Sequence, residues 1–520
     1  MFGHGQLPFV VSAGPGYPAP VHGKHILAID QGTTGTTALV MNLEGETLGR
    51  RNVEFTQYFP KPGWVEHEPE EIWQSTLAAV GGALCEAGVG GSDIAAVGIT
   101  NQRETTLLWE RASGSPVHRA IVWQDRRTAE ICRSLRQAGH EALVEQVTGL
   151  VLDPYFSGTK LKWLLDTQQD ARRRAERGEL AFGTVDSYLV MRMGGGSQAP
   201  HVIDVTNASR TLLMDLERRA WDERMCELFG VPKAVLPRIV PSAGPVAQTV
   251  NVPGLPDGIP ITGIAGDQHA ALYGQACFDV GDVKCTYGTG AFVLINTGER
   301  PVKSRFGLLS TLGWQIGSDV VYALEGSSFV AGAAVQWLRD GLGIIQTAPE
   351  VESLANSVSS SDGVTFVPAL AGLGAPYWDA EARGLICGIT RGTTKAHIAR
   401  ATLEAIAFQV DDLLTAMRDD LGRRVGSMRV DGGASANDLL MQLQSDISGV
   451  SVERPNDLES TARGAAMLAA VGAGLLQHPT GAKQMLQRYK SFTVNLGDSE
   501  RQSERERWHN AVQRARSSAH

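Results

Sequence analysis

The sequence predicts an α/β protein of two domains, and three observations carry that prediction. At 520 residues the chain exceeds the roughly 250–300 residues over which a single core keeps growing. Its first segments read as strands around a turn, then a helix, then another strand, the start of a layered α/β domain. A second strand, Gly/Thr turn and strand recurs about 255 residues later, with little identity to the first, as duplicated halves would show. The predicted division is a flexible extension at 1–24, a first domain at 25–276, a second at 277–497 and a charged tail at 498–520.

Composition narrows the class. Hydrophobic residues make up 43% and charged residues 20%, as in a globular protein, and the net charge of −9 speaks against a nucleic-acid binder, which usually shows a basic balance or face. The six cysteines form no Cys-x-x-Cys pair and no set at zinc-ligand spacing, so neither a disulfide framework nor a metal site is expected, and a reducing cytoplasm fits best. The longest apolar run, 465–476, is about a dozen residues and falls short of the ~18 a membrane span needs; it reads as a buried helix. Residues 1–24, with four prolines and five glycines, lack the basic start and apolar core of a signal peptide.

In chain order, Asp30-Gln31-Gly32-Thr33-Thr34-Gly35-Thr36-Thr37 lies between apolar segments 26–29 and 38–41. Glycines let backbone amides approach an anion, threonines add donors, and the lone Asp30 at a strand end can hold a divalent cation, although the same pattern also suits an ordinary hairpin. A third extended segment at 47–55 completes a meander. Pro69, flanked by Glu68, Glu70 and Glu71, opens a helix, and 94–100 returns as a buried strand. That strand ends in Asn101-Gln102-Arg103-Glu104-Thr105, at the strand terminus where α/β folds bind ligands. An Arg-Glu dipeptide is more often a surface ion pair, but a carboxylate accepting from hydroxyls beside a guanidinium donating to them would read a polyol.

Trp123, Tyr155 and Phe156 read as core aromatics. Gly263-Ile264-Ala265-Gly266-Asp267-Gln268-His269 repeats the strand, glycine and carboxylate pattern, which makes Asp267 a second candidate acid or base. Val283 to Asn296 is the repeated hairpin, with Tyr287-Gly288-Thr289-Gly290 at its turn; two hairpins of this kind could clamp one polyphosphate. Helices are predicted around Val335, Trp337 and Leu338 and over 396–421. Val430-Asp431-Gly432-Gly433-Ala434-Ser435-Ala436-Asn437 is a strand end and glycine turn that lets a nucleobase or ribose approach bare backbone. The tail from 498 is charged enough to read as a solvated helix or disorder.

These motifs at 30–34, 101–105, 286–290 and 431–437 together resemble the FGGY carbohydrate-kinase family, and within it the glycerol kinases. The likeness runs from about 25 to 495 and includes Tyr155-x-Ser157-x-x-Lys160-Leu161-x-Trp163-Leu164 and Gly384-x-x-x-Gly388 followed by His397-Ile398-x-x-Ala401-Thr402-Leu403-Glu404. The resemblance implies two actin-like (ribonuclease H-like) ATPase domains with a catalytic cleft between them. It implies ATP-dependent phosphorylation of glycerol to sn-glycerol 3-phosphate. Asp267 would be the general base. Arg103, Glu104, Tyr155 and Asp267 would hold the hydroxyls, with Gln268 nearby and Trp123 and Phe292 walling the carbon skeleton. Thr33, Thr34, Gly288 and Thr289 would bind the β- and γ-phosphates, Gly332, Gln336, Gly433 and Asn437 the nucleotide end, and Asp30 the Mg²⁺, largely through water. Members are often homodimers or homotetramers.

The residues themselves agree in part. The sequence contains no Gly-x-x-x-x-Gly-Lys-Ser/Thr loop, no protein-kinase motif set and no third glycine after Gly288-x-Gly290, which disfavours a P-loop enzyme and a Rossmann oxidoreductase. Thr37 stands where the family commonly has arginine. Residues 252–258 lack the Gly/Lys/Arg-rich loop that binds fructose 1,6-bisphosphate in some bacterial members, and 241–249 lack the phosphorylated histidine of others, so neither control is expected. The alternatives are an FGGY kinase for another polyol or a ketose, and an actin-like chaperone or filament protein, which would have no use for Arg103-Glu104 at a strand end.

Overall fold

The computed structural model describes residues 23–478, 481–486 and 489–517; most of the extension expected at 1–24 lies outside them. The elements that position the site follow the chain. Strands β1 (His25–Gln31), β2 (Gly35–Met41) and β3 (Thr47–Glu54) form the opening meander, and helix α1 (Pro69–Ala87) starts on Pro69 with Glu70 and Glu71 in its first turn. There the missing proline N–H costs nothing and the acids meet the positive end of the helix dipole. Then come β4 (Ile94–Asn101), α2 (Ser157–Thr167), α3 (Val205–Ala208), β5 (Ala243–Gln248), β6 (Pro260–Gly266) and α4 (Asp267–Gly274). The second half contributes β7 (Val283–Tyr287), β8 (Ala291–Gly298), β9 (Leu309–Ile316), β10 (Asp319–Ser328), α5 (Gly332–Asp340) and α6 (Lys395–Leu421). It ends with β11 (Ser427–Asp431), α7 (Asp438–Ser448), β12 (Ser451–Pro455), α8 (Ser460–Gly472), β13 (Tyr489–Phe492) and α9 (Asp498–Ala515).

The strands join in the order β13-β12-β11-β7-β8-β10-β9-β5-β6-β4-β1-β2-β3. Within it the same unit occurs twice. In the first half β2 pairs antiparallel with both β1 and β3, while β1 runs parallel to β4 and β4 to β6. In the second, β8 pairs antiparallel with β7 and β10, while β7 runs parallel to β11 and β11 to β12. The weak internal likeness of the two hairpins is therefore a repeat of whole topology. The halves meet where β5 pairs with β9 through Ala243 and Ile316.

Two features differ from the linear division into domains. Helix α8 belongs to the second half by sequence yet packs on strands of the first half, with Ala465, Ala466, Leu468 and Ala469 in one core with Ile26, Ala28 and Ala96. Glycines permit that approach: a Cβ on Gly98 of β4 would lie 2.2 Å from the Ala465 carbonyl oxygen, and one on Gly464 1.8 Å from that of Ala270. The run expected as a buried helix at 465–476 is helical and mostly buried through Gly472, where α8 ends, and 473–476 leave the helix as a turn. The tail expected to be a solvated helix or disordered is the helix α9, docked along one stripe rather than solvated all round. Trp508 stacks on Phe408 at 5.2 Å and donates its indole N–H to Asp412 at 2.8 Å. An apolar stripe of Trp508, Ala511, Val512 and Ala515 overrides the charged composition.

Candidate active site

The turns of the two hairpins carry equivalent backbone closures: Gly32 N–H donates to the Gly35 carbonyl at 2.9 Å, and Gly288 N–H to that of Gly290 at 2.9 Å. The first turn is braced from several sides. Trp123 Nε1 donates to Thr33 Oγ1 at 2.9 Å, Gln57 to the Thr33 carbonyl at 2.8 Å and Gln102 to that of Gly32 at 3.1 Å. Thr34, Gly288 and Thr289 are exposed at the tips. The second turn abuts α5: Gly332 N–H donates to the Gly288 carbonyl at 2.9 Å, and a Cβ on Gly332 would come within 2.6 Å of that oxygen. Gln336 stands exposed one helical turn on.

Asp30 is the penultimate residue of β1, Asp431 ends β11 and Asp267 follows β6, so all three carboxylates sit at carboxyl ends of parallel strands. Burial, reinforced by the charges of Glu459, Asp267 and Asp431, holds the Asp30 carboxyl well above its ordinary range. Asp431 Oδ1 is buried without a partner. Beyond Asp431, Gly432 takes φ 84° against the Tyr287 backbone, Gly433 is exposed with open space around its Cα, and Asn437 caps α7 by accepting from Leu440 N–H at 2.8 Å.

Arg103 and Glu104 are buried, which rules out the surface ion pair. Glu104 adopts φ 59°, a costly conformation for a residue with a Cβ, and its carbonyl is pinned by the Ser157 and Thr106 hydroxyls, each at 3.0 Å. Arg103 Nε lies 3.0 Å from Asp267 Oδ1, and its Nη2 donates to the Tyr155 hydroxyl at 3.4 Å. Trp123 meets Tyr155 edge-on at 5.8 Å. Both remain half-buried, whereas Phe156 is core. Gly266 N–H, just before Asp267, donates to Thr206 Oγ1 at 2.9 Å. Gln268 is held by Lys284, and Phe292 sits on β8 opposite Thr286 and Ser327.

Three charged residues here escaped sequence reasoning. Glu325 on β10 accepts from Arg103 at 2.5 Å and from Arg210 at 2.9 Å, and Arg210 Nε donates to Glu104 at 2.6 Å. Burial opposes ionisation of Glu325, but the two guanidiniums prevail and hold its carboxyl far below the usual range; burial raises that of Glu104. Lys284, fully buried on β7, also donates to Thr286 Oγ1 at 2.9 Å and thereby ties Gln268 to the second hairpin. A signal was present: Glu325 and Lys284 are lone charges within apolar strands, which are rarely buried without a partner.

Chemically, the arrangement offers two turns that present amides and hydroxyls, carboxylates at the ends of parallel strands, and buried carboxylates and guanidiniums beside Asp267. The chain resembles known proteins along most of its length. Residues 25–274 match the N-terminal domain of the FGGY family of carbohydrate kinases, and residues 283–473 match its C-terminal domain. The chain is 55% identical over 494 residues to a glycerol kinase of Myxococcus xanthus, covering 95% of this chain and 99% of the relative. It is also 55% identical over 491 residues to one of Alkalilimnicola ehrlichii, covering 94% and 98%. Among solved structures, Plasmodium falciparum glycerol kinase with ADP superposes with a TM-score of 0.88 at 35% identity, over 94% of this chain and 98% of that one. Gluconate kinase from Lactobacillus acidophilus shares the fold, with a TM-score of 0.84 at 22% identity over 94% and 97%.

Proposed function

The chain belongs to the FGGY family of carbohydrate kinases, and from that premise we propose that it transfers the γ-phosphoryl group of ATP to glycerol, giving sn-glycerol 3-phosphate and ADP. The observation that carries the choice of a small polyol is the buried Arg103-Glu104 pair at the end of β4, set against Asp267 at 3.0 Å. A carboxylate acceptor and a guanidinium donor can pair both the hydrogen and the oxygen of a hydroxyl, and a polar pocket of this kind rejects analogues that leave its groups unpaired.

In this reading Glu104, Arg103 and Tyr155 orient the hydroxyls while Trp123 and Phe292 flank the carbon chain. Asp267 accepts the proton as the terminal hydroxyl oxygen bonds to the γ-phosphorus and the bond to the β-phosphate bridging oxygen breaks. Thr33, Thr34, Gly288 and Thr289 hold the β- and γ-phosphates, Gly332, Gln336, Gly433 and Asn437 the nucleotide end. Such transfer is mostly positioning and charge stabilisation. The unpartnered Asp431 Oδ1 and the carboxylates crowding Asp30 suit a cation; Asp30, with Asp431 near it, would hold Mg²⁺, which supplies neutralisation of the phosphate charge. All six cysteines are free, in keeping with a reducing cytoplasm, and no helix among the described residues is long and apolar enough to cross a membrane.

ADP release measured over a panel of glycerol, tetritols, pentuloses and gluconate tests the reading. Glycerol is expected to give the highest kcat/KM; a ketose or sugar acid exceeding it would transfer the assignment to another branch of the family.

A further inference from the structure

A charge cluster beside Asp267 reaches across both halves of the chain. Arg103 comes from the loop after β4, Arg210 follows α3, and Glu325 belongs to β10, 222 residues from Arg103. Glu325 Oε2 accepts from Arg103 Nη1 at 2.5 Å, and its Oε1 from Arg103 Nη2 at 3.1 Å and Arg210 Nη2 at 2.9 Å. Arg210 Nε donates to Glu104 Oε1 at 2.6 Å, and among the described residues none donates to the other oxygen of Glu104. Arg103, Glu104, Arg210 and Glu325 are each no more than 3% exposed.

We propose that Arg210 and Glu325 are positioning residues for glycerol: Glu325 fixes the plane of the Arg103 guanidinium through a two-point fork, and Arg210 occupies one oxygen of Glu104 so that the other faces a substrate hydroxyl. A guanidinium held at two points has one orientation, unlike one held at a single point. Stability is a poor reason for such a cluster, because the desolvation of buried ion pairs commonly cancels their attraction. The cluster also leaves Arg210 Nη1 and His269 Nδ1 buried without partners, which an arrangement selected only for satisfaction would avoid. Glu325 lies two residues before Ser327, the cross-strand neighbour of Phe292, so the clamp is built on the strand that also carries the second hairpin's partner.

This inference takes the proposed glycerol pocket as its premise. The test compares wild type with Arg210→Lys, which keeps the charge but loses the planar fork, and with the double variant Arg210→Gln/Glu325→Gln, which removes one charge of each sign. Folding is checked by thermal melting, and KM for glycerol and for ATP are measured separately. Loss of hydrogen bonds to charged groups predicts a rise in glycerol KM of about tenfold or more in both variants, with ATP KM within about threefold of wild type. Folded variants whose glycerol KM stays within about twofold, or whose two KM values rise together, overturn the positioning role. A wild-type chain that does not phosphorylate glycerol overturns the functional reading itself and this inference with it.

Discussion

Asp267 concentrates the chemistry at the scale of single residues. Its backbone is set by the Gly266 to Thr206 hydrogen bond and its carboxylate by Arg103, so replacement by asparagine preserves shape and hydrogen-bond reach while removing the base. Asp267→Asn is expected to lower kcat by roughly 10² or more with little change in glycerol KM; near-normal turnover would remove Asp267 from that role. Thr37 accepts from Asn52 at 2.9 Å and stands opposite Asp30 in the β1–β2 register, so a neutral hydroxyl engaged within the sheet occupies that position. Arg103, Glu104, Asp30 and Asp267 stand out in the sequence because each follows a short apolar strand with a polar end, and Asp30 and Asp267 also lie beside glycines. Arg210 and Glu325 were not legible, because their partners lie 106 and 222 residues away and nothing local specifies which distant charge a lone buried charge will meet.

Among elements, the hairpins were legible because glycine and threonine at a two-strand turn signal their own geometry. The parallel pairing of β7 with β11, and of β1 with β4, was not legible, because nothing local to a strand specifies its distant parallel partner. For the C-terminal helix, charge suggests solvation and hides the docking, although Trp508, Ala511, Val512 and Ala515 recur at i, i+3, i+4 and i+7. Its docking carries a pH signature. The hydrogen bond to Asp412, at 2.9 Å, raises the pKa of His509 from its ordinary value despite the opposing effect of burial. The protonated form is thus favoured in the folded state. Its contribution is full below the unfolded value near 6.5 and is lost as pH rises through the folded one. Urea unfolding should show His509→Gln destabilised relative to wild type more at pH 6 than at pH 8. The difference should stay below about 1 kcal/mol, since the ring is half exposed and screened. A gap that is equal at both pH values would contradict the link.

For the molecule as a whole, duplication explains why the site lies where it does. Each half brings its hairpin turn and a carboxylate at a parallel strand end, and α8 and the β5–β9 pairing bind the halves together around them. The two-domain α/β class was legible from length and recurrence; the placement of α8 on the first sheet was not, because small residues such as Gly98 and Gly464 reveal a close approach only once the partner is known. The central claim is direct transfer from ATP to a terminal hydroxyl of glycerol held by Arg103, Glu104 and Asp267. The most direct measurement incubates the wild-type chain with ATP, Mg²⁺ and glycerol, then quantifies ADP, free phosphate and the phosphorylated product with a stereospecific sn-glycerol 3-phosphate dehydrogenase. The account predicts one sn-glycerol 3-phosphate per ADP with negligible free phosphate. ADP matched by free phosphate, or a product the dehydrogenase does not oxidise, would contradict it.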